Sequence, residues 1–537
     1  MMTGDLASRR WDVIVIGTGI GGGTIGRRLA ERGLSVLFIE KGRSGYRTEQ
    51  NHMAGDDVHD PEARLIRGSW PDTARARIEG QERRFHPAIG AAVGGSSVFY
   101  AATLERPEAH DLDDSAERPH PTGGWPVGFD TMLPWFDQAQ ALFEVRGQPD
   151  PLADHPTPNL SAGPAMCEGD ARLMEGMRRS GLHPYQLHSA MRGVEGCGSC
   201  LGRKCPRPCK LDGRSAGVEP ALATGRAAVA ERCEVTELRG DGPRITNVVV
   251  RRGGETLEFT ADHVVLAAGA LSSPRILLAS RCAEWPEGCG NAHGQVGRYL
   301  MFHLNEMFAL WPRRGEGYAE AAKSIGFRDL YHAEGHRFGM VQAMGLNAGE
   351  GEILNYLRGK IERSPLRRLP GAGQMARIPA KVAARVLGQA KVFVGLLEDM
   401  PYAENRVMPD PERPGGILID YRFSPELHQR RKRFRKLIRT SLGLRRTLFL
   451  TYQPELNFGH PCGSLRMGTD PARSVVDADC RVHGIRNLWV ADASFMPTSM
   501  GVNPSLTIAA NALRVGDAIL AAPKASRHEP LALSIPS

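Results

Sequence analysis

The sequence predicts an α/β fold joined to an α+β unit. A Rossmann-like dinucleotide-binding domain is assembled from separated segments, and an antiparallel-sheet domain is set within it. Three observations predict this. Residues 11–41 spell a complete strand, glycine turn, helix and strand. Further glycine-bearing segments stand far outside that unit, at 90–106, 269–280, 460–468 and 488–517. Residues 301–455 lack such segments and carry alternating stretches, HRFGMVQAMGL and KVFVGLLEDM, as antiparallel strands require.

In the first unit, Val13 to Ile16 is a short apolar strand followed at once by Gly17-x-Gly19-x-x-Gly22. Ile25, Leu29 and Ala30 recur at helical spacing, and a second apolar strand from Leu34 to Ile39 ends at Glu40. Gly17 permits a tight turn, Gly19 lets the backbone approach a pyrophosphate, and Gly22 allows close helix–strand packing. The helix N-terminus offers free N–H groups to the phosphates. Glu40 can accept hydrogen bonds from ribose hydroxyls and disfavours a 2′-phosphate. This unit alone does not choose between FAD and NAD.

The later segments choose. They read GAAVGGSSVFYAATLER (90–106), GALSSPRILLAS (269–280, after the apolar strand HVVLAAG), HPCGSLRMG (460–468) and LWVADASFMPTSMGVNPSLTIAANALRVGD (488–517). In this order and at these separations they resemble the glucose–methanol–choline (GMC) family of FAD-dependent alcohol oxidases and dehydrogenases. The resemblance runs from Asp12 to about Ile519 and includes GWPVGFDTMLPWFDQAQALF and GQVGRYL. It implies FAD as cofactor and a substrate domain over the flavin. Gly94 and Gly95 would let backbone approach the isoalloxazine or pyrophosphate, and Ser96 and Ser97 supply short donors. Gly269 ends a buried strand beside the adenosine half, and Val235 joins the same cofactor set. Asp492 follows LWVAD and could accept from the ribityl chain. Pro504, at the first helical position, starts a helix whose N-terminus would face the flavin's N1–O2 edge. Many family members have Asn where Tyr100 stands; Tyr100 would replace it as a donor or alter oxygen reactivity. No His lies between Gly90 and Arg106, so the FAD is expected to be non-covalent.

Alcohol oxidation needs a base for the hydroxyl proton as hydride leaves the same carbon. Neutral imidazole suits that task. His460, in NFGHPCGSLRMG, matches the family's catalytic His, and Asn503, in GVNP, matches the second position of the catalytic pair. An Asn cannot be the base, but it can hold the substrate oxygen so that the C–H points at flavin N5. Its other reading is a helix N-cap before Pro504.

Composition sets the remaining bounds. The chain has 537 residues and a formal charge of +8, too small an excess for this length to argue for nucleic acid. Basic residues cluster in 358–391 and in RRKRFRKLIR at 430–439. Both read first as solvated helix faces; the 358–391 run, being amphipathic, also suits a membrane surface or an electron-transfer partner. No stretch reaches transmembrane length, and Arg9-Arg10 before WDVIVIG reads as strand rather than export signal, so a cytoplasmic protein is expected.

Cys197, Cys200, Cys205 and Cys209 lie in CGSCLGRKCPRPC. An iron–sulfur cluster, zinc, and disulfides or structural thiols all stay open, with the last favoured because the spacing departs from that of ferredoxins and Pro206 and Pro208 stiffen the loop.

The expected division is 1–108, 196–300 and 456–522 for the FAD domain, 109–195 for a lid or connector, 301–455 for the substrate domain and 523–537 for a flexible tail. The expected substrate is a sugar, polyol or aminoglycoside-type alcohol, with oxygen as acceptor. Glu350, Glu352, Glu398 and Asp399 are available for a cationic substrate. The alternatives are a dehydrogenase passing electrons through a Cys-ligated cluster, and a flavin-binding lyase of the same family.

Overall fold

The computed structural model describes residues 3–45, 53, 58–195, 202–207, 209–313, 316, 322–345, 353–354, 357–358, 361, 369, 371–388, 390–443 and 445–522. The first strand, Arg10–Ile16, pairs in parallel with Val36–Ile39 on one side and Glu255–Leu266 on the other. Ala227–Ala230 extends the parallel set beyond Val36–Ile39, and Leu488–Val490 pairs in parallel with the end of Glu255–Leu266. The antiparallel strands Ile245–Arg252 and Glu234–Gly240 complete this seven-stranded sheet. The parallel strands are buried along their length, which explains why Val13–Ile16, Val36–Ile39 and Val264–Leu266 read as continuous apolar runs.

Gly17 turns the chain at φ +95°, a left-handed conformation, and a Cβ there would lie 2.4 Å from the Ala267 carbonyl oxygen. The helix Ile20–Glu31 follows and packs on the long C-terminal helix Ser505–Ala521. Arg28 and Asp517 join the two helices through paired hydrogen bonds of 2.7 Å. Segments nearly 500 residues apart thus form one layer against the sheet.

A six-stranded sheet runs Thr447–Phe449, Leu304–Leu310, Lys391–Leu397, Val341–Ala343, Ile325–Phe327 and Tyr185–Gln186. All its pairings are antiparallel. One face packs Phe308, Phe393, Val341 and Ile325 against Leu173 and Met177 of the helix Glu168–Arg178, and against Phe434 and Ile438 of the helix Pro425–Ser441. The two-residue period sends Asn305 and Gln342 to the other face, toward the 457–460 and 503 segments.

Three sequence expectations change. The Tyr185–Gln186 strand belongs to the presumed connector yet forms an edge of this sheet. Arg406–Pro409 and Ile417–Tyr421 leave the presumed substrate domain and form a four-stranded sheet with Ala74–Ile78 and Gln81–Phe85. Sheet partners are chosen by edge availability, which a linear division cannot register. Third, the 430–439 run is not simply a solvated face. Arg431 and Arg435 both reach the buried Glu306, and Arg430 donates to the carbonyls of Arg337 (3.0 Å) and Glu398 (2.5 Å). Among the described residues no helix is long and apolar enough to cross a membrane. The tail 523–537 lies outside the described residues.

Candidate active site

A cavity of about 660 Å³ opens at the carboxyl ends of the parallel strands, where open α/β sheets bind ligands. Gly17, Gly19, Glu40, Gly95, Ser96, Ser97, Val235, Gly269, Asp492, Pro504 and His460 all line it. Gly22, Gly94 and Asn503 do not. Gly22 packs against Gly17 and Ala267 as the turn motif predicts, and Asn503 Nδ2 lies 3.4 Å from His460 Nε2.

At the sheet end, a Cβ on Gly19 would meet no atom within 4 Å, so this backbone faces open space. A Cβ on Gly95 would lie 2.9 Å from Gly19 Cα, so that glycine lets the two glycine turns touch. Glu40 is buried and accepts from Thr18 Oγ1 (2.6 Å), Thr18 N (3.2 Å) and Gly42 N (2.9 Å); burial raises its pKa. Asp492 accepts four hydrogen bonds, from Gly269 N, Ser273 Oγ, Ser494 N and Ser494 Oγ, and burial raises its pKa as well. It ties the turn after one parallel strand to the turn after its neighbour.

Several expected donors are already engaged. Ser97 Oγ donates to Gly94 O (2.5 Å) and accepts from Gly213 N (2.9 Å). Ser96 Oγ only accepts, from Gly90 N (2.8 Å), so its O–H is not spent by that bond. Tyr100 lines the cavity, but its hydroxyl donates to the Leu211 carbonyl, so it does not replace Asn as a free donor. Pro504 sits just before the helix Ser505–Ala521 rather than at its first residue, though its dihedrals are helical (φ −76°, ψ −11°) and its carbonyl accepts from Ile508 N (2.9 Å).

At the other end, two histidines meet. His303 precedes the strand Leu304–Leu310 and is fully buried. Its Nε2 lies 2.9 Å from the Met500 carbonyl and its Nδ1 lies 3.0 Å from His460 Nδ1. Met500 has φ +61°, a left-handed conformation held in place by its neighbours: Ser499 Oγ bonds both the N–H and the carbonyl of Asp399, and Gly501 N donates to Tyr331 Oη (3.2 Å).

The partners assign the protons. A carbonyl only accepts, so His303 carries its hydrogen on Nε2 and presents a bare Nδ1. Burial holds both imidazoles neutral: His303 is pushed below the usual histidine range, and His460 well below it, with the fields of His303 and Lys323 adding to the effect of burial. One hydrogen must lie between the two Nδ1 atoms, and it belongs to His460. His460 Nε2 is therefore bare. Because His460 Nδ1 carries a hydrogen it cannot accept from Asn457 Nδ2, 3.1 Å away, which donates one of its two hydrogens to Asn305 Oδ1 (3.3 Å).

The bare Nε2 faces Asn503 Nδ2 at 3.4 Å. Asn503 Oδ1 accepts from Gln342 Nε2 (3.1 Å), which fixes the amide with its NH2 toward His460. Asn503 Oδ1 is thus engaged by Gln342 and the side chain caps no helix, while its NH2 keeps a second hydrogen for another acceptor. Lys323, whose pKa burial pushes down to about 8, adds positive field near His460.

The family model for GMC oxidoreductase matches residues 11–305, more than half of the chain, and a second model of the same family matches residues 446–512. The chain belongs to the GMC oxidoreductase family. Paromamine 6'-oxidase of Streptomyces fradiae is 28% identical to it over 97% of this chain and 93% of that protein. The 6'''-hydroxyparomomycin C oxidase of Streptomyces lividus is 29% identical over 96% and 92%. The 2-methyl-1,2-propanediol dehydrogenase of Mycolicibacterium austroafricanum is 25% identical over 95% of each. Pyridoxine 4-oxidase from Mesorbium loti shares the fold at 21% identity, with a TM-score of 0.61 over 95% of this chain and 99% of that one.

This GMC protein is an FAD-dependent oxidoreductase acting on alcohols. The cavity fits the cofactor on its own terms: open backbone at Gly19, a helix N-terminus behind it, and Glu40 in the wall at the end of the second strand.

The structure brings His460 and Asn503, read from two separate motifs, to within 3.4 Å of each other, and it adds His303, Gln342, Asn457 and Lys323, which no motif singled out. Among the acids offered for a cationic substrate, Glu398 pairs with Arg337 and Asp399 accepts from Tyr421 Oη (2.6 Å); neither lines the cavity. Glu350 and Glu352 lie outside the described residues, as do Cys197 and Cys200. Cys205 donates to the Arg207 carbonyl (3.1 Å) and Cys209 is buried.

Proposed function

We propose that this enzyme oxidises a primary or secondary alcohol of a sugar, polyol or amino sugar to the aldehyde or ketone, with oxygen as acceptor. The reading rests on His460, which lines the cavity and whose partners leave Nε2 without a hydrogen, with the Asn503 NH2 beside it. His460 Nε2 takes the hydroxyl proton, becoming imidazolium. Asn503 Nδ2 donates to the substrate oxygen and orients the carbon that bears the leaving hydride. FAD, when bound, supplies the acceptor for that hydride. The absence of His in the Gly90–Arg106 segment supports non-covalent attachment.

The sugar-like substrate class draws support from the two Streptomyces oxidases, whose names specify aminoglycoside alcohols. Among the described residues, the three carboxylates that line the cavity, Glu40, Glu234 and Asp492, are all engaged by this chain.

The test is a peroxide assay over a panel of sugars, polyols and aminoglycosides, run beside anaerobic bleaching of the flavin band. Bleaching with matching peroxide is expected. Bleaching without peroxide refutes oxygen as acceptor, and turnover of a cyanohydrin without bleaching refutes alcohol oxidation.

A further inference from the structure

The helix Arg377–Leu387 is turned the wrong way round for a helix serving only the protein core. Ala380 and Leu387 face inward, 0% and 8% exposed, while Ile378, Val382 and Val386 face out at 75%, 59% and 48%. Steps of four residues place these three on one helical face. Met375, which ends the preceding turn Ala372–Met375, is 67% exposed. Arg377, Lys381 and Arg385 are exposed, and each adjoins a member of the stripe. Among the described residues none of these three cations has an ion pair, and no acidic residue occurs between Leu369 and Lys391. Lys391, the last cation of the run, is excluded from the face because its Nζ lies within 2.7 Å of both Asp170 carboxylate oxygens.

From this geometry we infer that the helix docks on an anionic lipid surface. An apolar stripe edged by cations along its whole length suits the boundary between acyl chains and charged headgroups, where the stripe is buried and the cations meet phosphates. At 11 residues the helix spans roughly 16 Å, about half a bilayer core, so it lies in the plane of the interface. A second copy of the chain is a poor occupant, since two such faces would bring six unpaired cations together. In the sequence the helix lies between the strands Val341–Ala343 and Lys391–Leu397.

The test is sedimentation of the full-length FAD-loaded protein with phosphatidylcholine vesicles, with and without phosphatidylglycerol. The protein should pellet with the anionic vesicles only and be released by high salt. I378D/V382D should lower the affinity at least ~10-fold. R377E/K381E/R385E should lower it ~100-fold or more, about fivefold per cation. Both variants should keep the wild-type melting temperature and alcohol-dependent bleaching, which separates a docking defect from a folding or catalytic one. The inference is overturned if wild type ignores anionic vesicles or the variants pellet as well as wild type. It is also overturned if light scattering shows a wild-type dimer that I378D/V382D dissolves, or if the helix crosslinks to an acidic protein instead.

Discussion

Replacing His303 by Ala removes the acceptor that holds the His460 hydrogen on Nδ1. Asn457 Nδ2, 3.1 Å from that nitrogen, then becomes its donor, and the His460 hydrogen moves to Nε2. The nitrogen that should take the substrate proton is now occupied. Recovering the working tautomer forfeits the Asn457 hydrogen bond, about 0.5–1.5 kcal/mol, and leaves a buried N–H unsatisfied, about 1–3 kcal/mol. The sum of about 1.5–4.5 kcal/mol corresponds to roughly a 10- to 2000-fold loss of kcat/KM. The assay is steady-state kcat/KM with FAD content measured on the same samples, so that a folding defect is seen as lost flavin. The direction of the argument is tested by rescue. In the His303→Ala background, Asn457→Asp puts a carboxylate oxygen where the donor was, restoring the Nδ1 hydrogen, while its other oxygen can still accept from Gly459 N. Activity should recover in part, and the acid limb of the pH profile should move upward because a carboxylate favours imidazolium. A His303→Ala enzyme at wild-type kcat/KM, or an FAD-loaded double variant no better than the single one, would refute the tautomer assignment.

Three further outcomes follow from the same contacts. Gln342→Leu frees the Asn503 amide to turn, which should lower kcat/KM by about 5- to 150-fold for about 1–3 kcal/mol while leaving the pH profile in place; a wild-type rate would show that Gln342 does not hold the amide. Because neutral His460 is the active form and burial sets its pKa well below 6.5, kcat/KM should be level at pH 6.5 and fall only at lower pH, as the ring protonates; an acid limb at or above 6.5 would contradict this. Gly19→Val projects into open cavity rather than into protein, so the apoprotein should melt close to wild type while FAD affinity collapses; retained FAD on fluorescence titration would show that the cofactor does not approach this backbone.

The cofactor end was legible because its determinants are local. A turn that must reach φ +95° at Gly17 and a strand ending in Glu40 both leave marks within one βαβ unit. The fold class was legible for the same reason, since buried parallel strands read as unbroken apolar runs. His460 and Asn503 were legible only through the family resemblance of two separate motifs. The groups that set their protonation and orientation were not. His303 and His460 are 157 residues apart and Gln342 and Asn503 are 161 apart, so no window contains either pair. A lone His beside an apolar strand is the one local trace His303 leaves, and it reads equally well as a packed core residue. Tyr100 misled in the opposite sense: its position relative to the motif is visible in sequence, but the Leu211 carbonyl that takes its hydrogen is not.

The central claim is that His460 Nε2 accepts the alcohol proton. It is tested most directly by stopped-flow anaerobic mixing of FAD-loaded wild type and His460→Ala with the alcohol that bleaches the wild-type flavin fastest. General-base loss predicts bleaching slower by about 10²- to 10⁴-fold at unchanged FAD content. Bleaching of the variant at the wild-type rate would contradict the account.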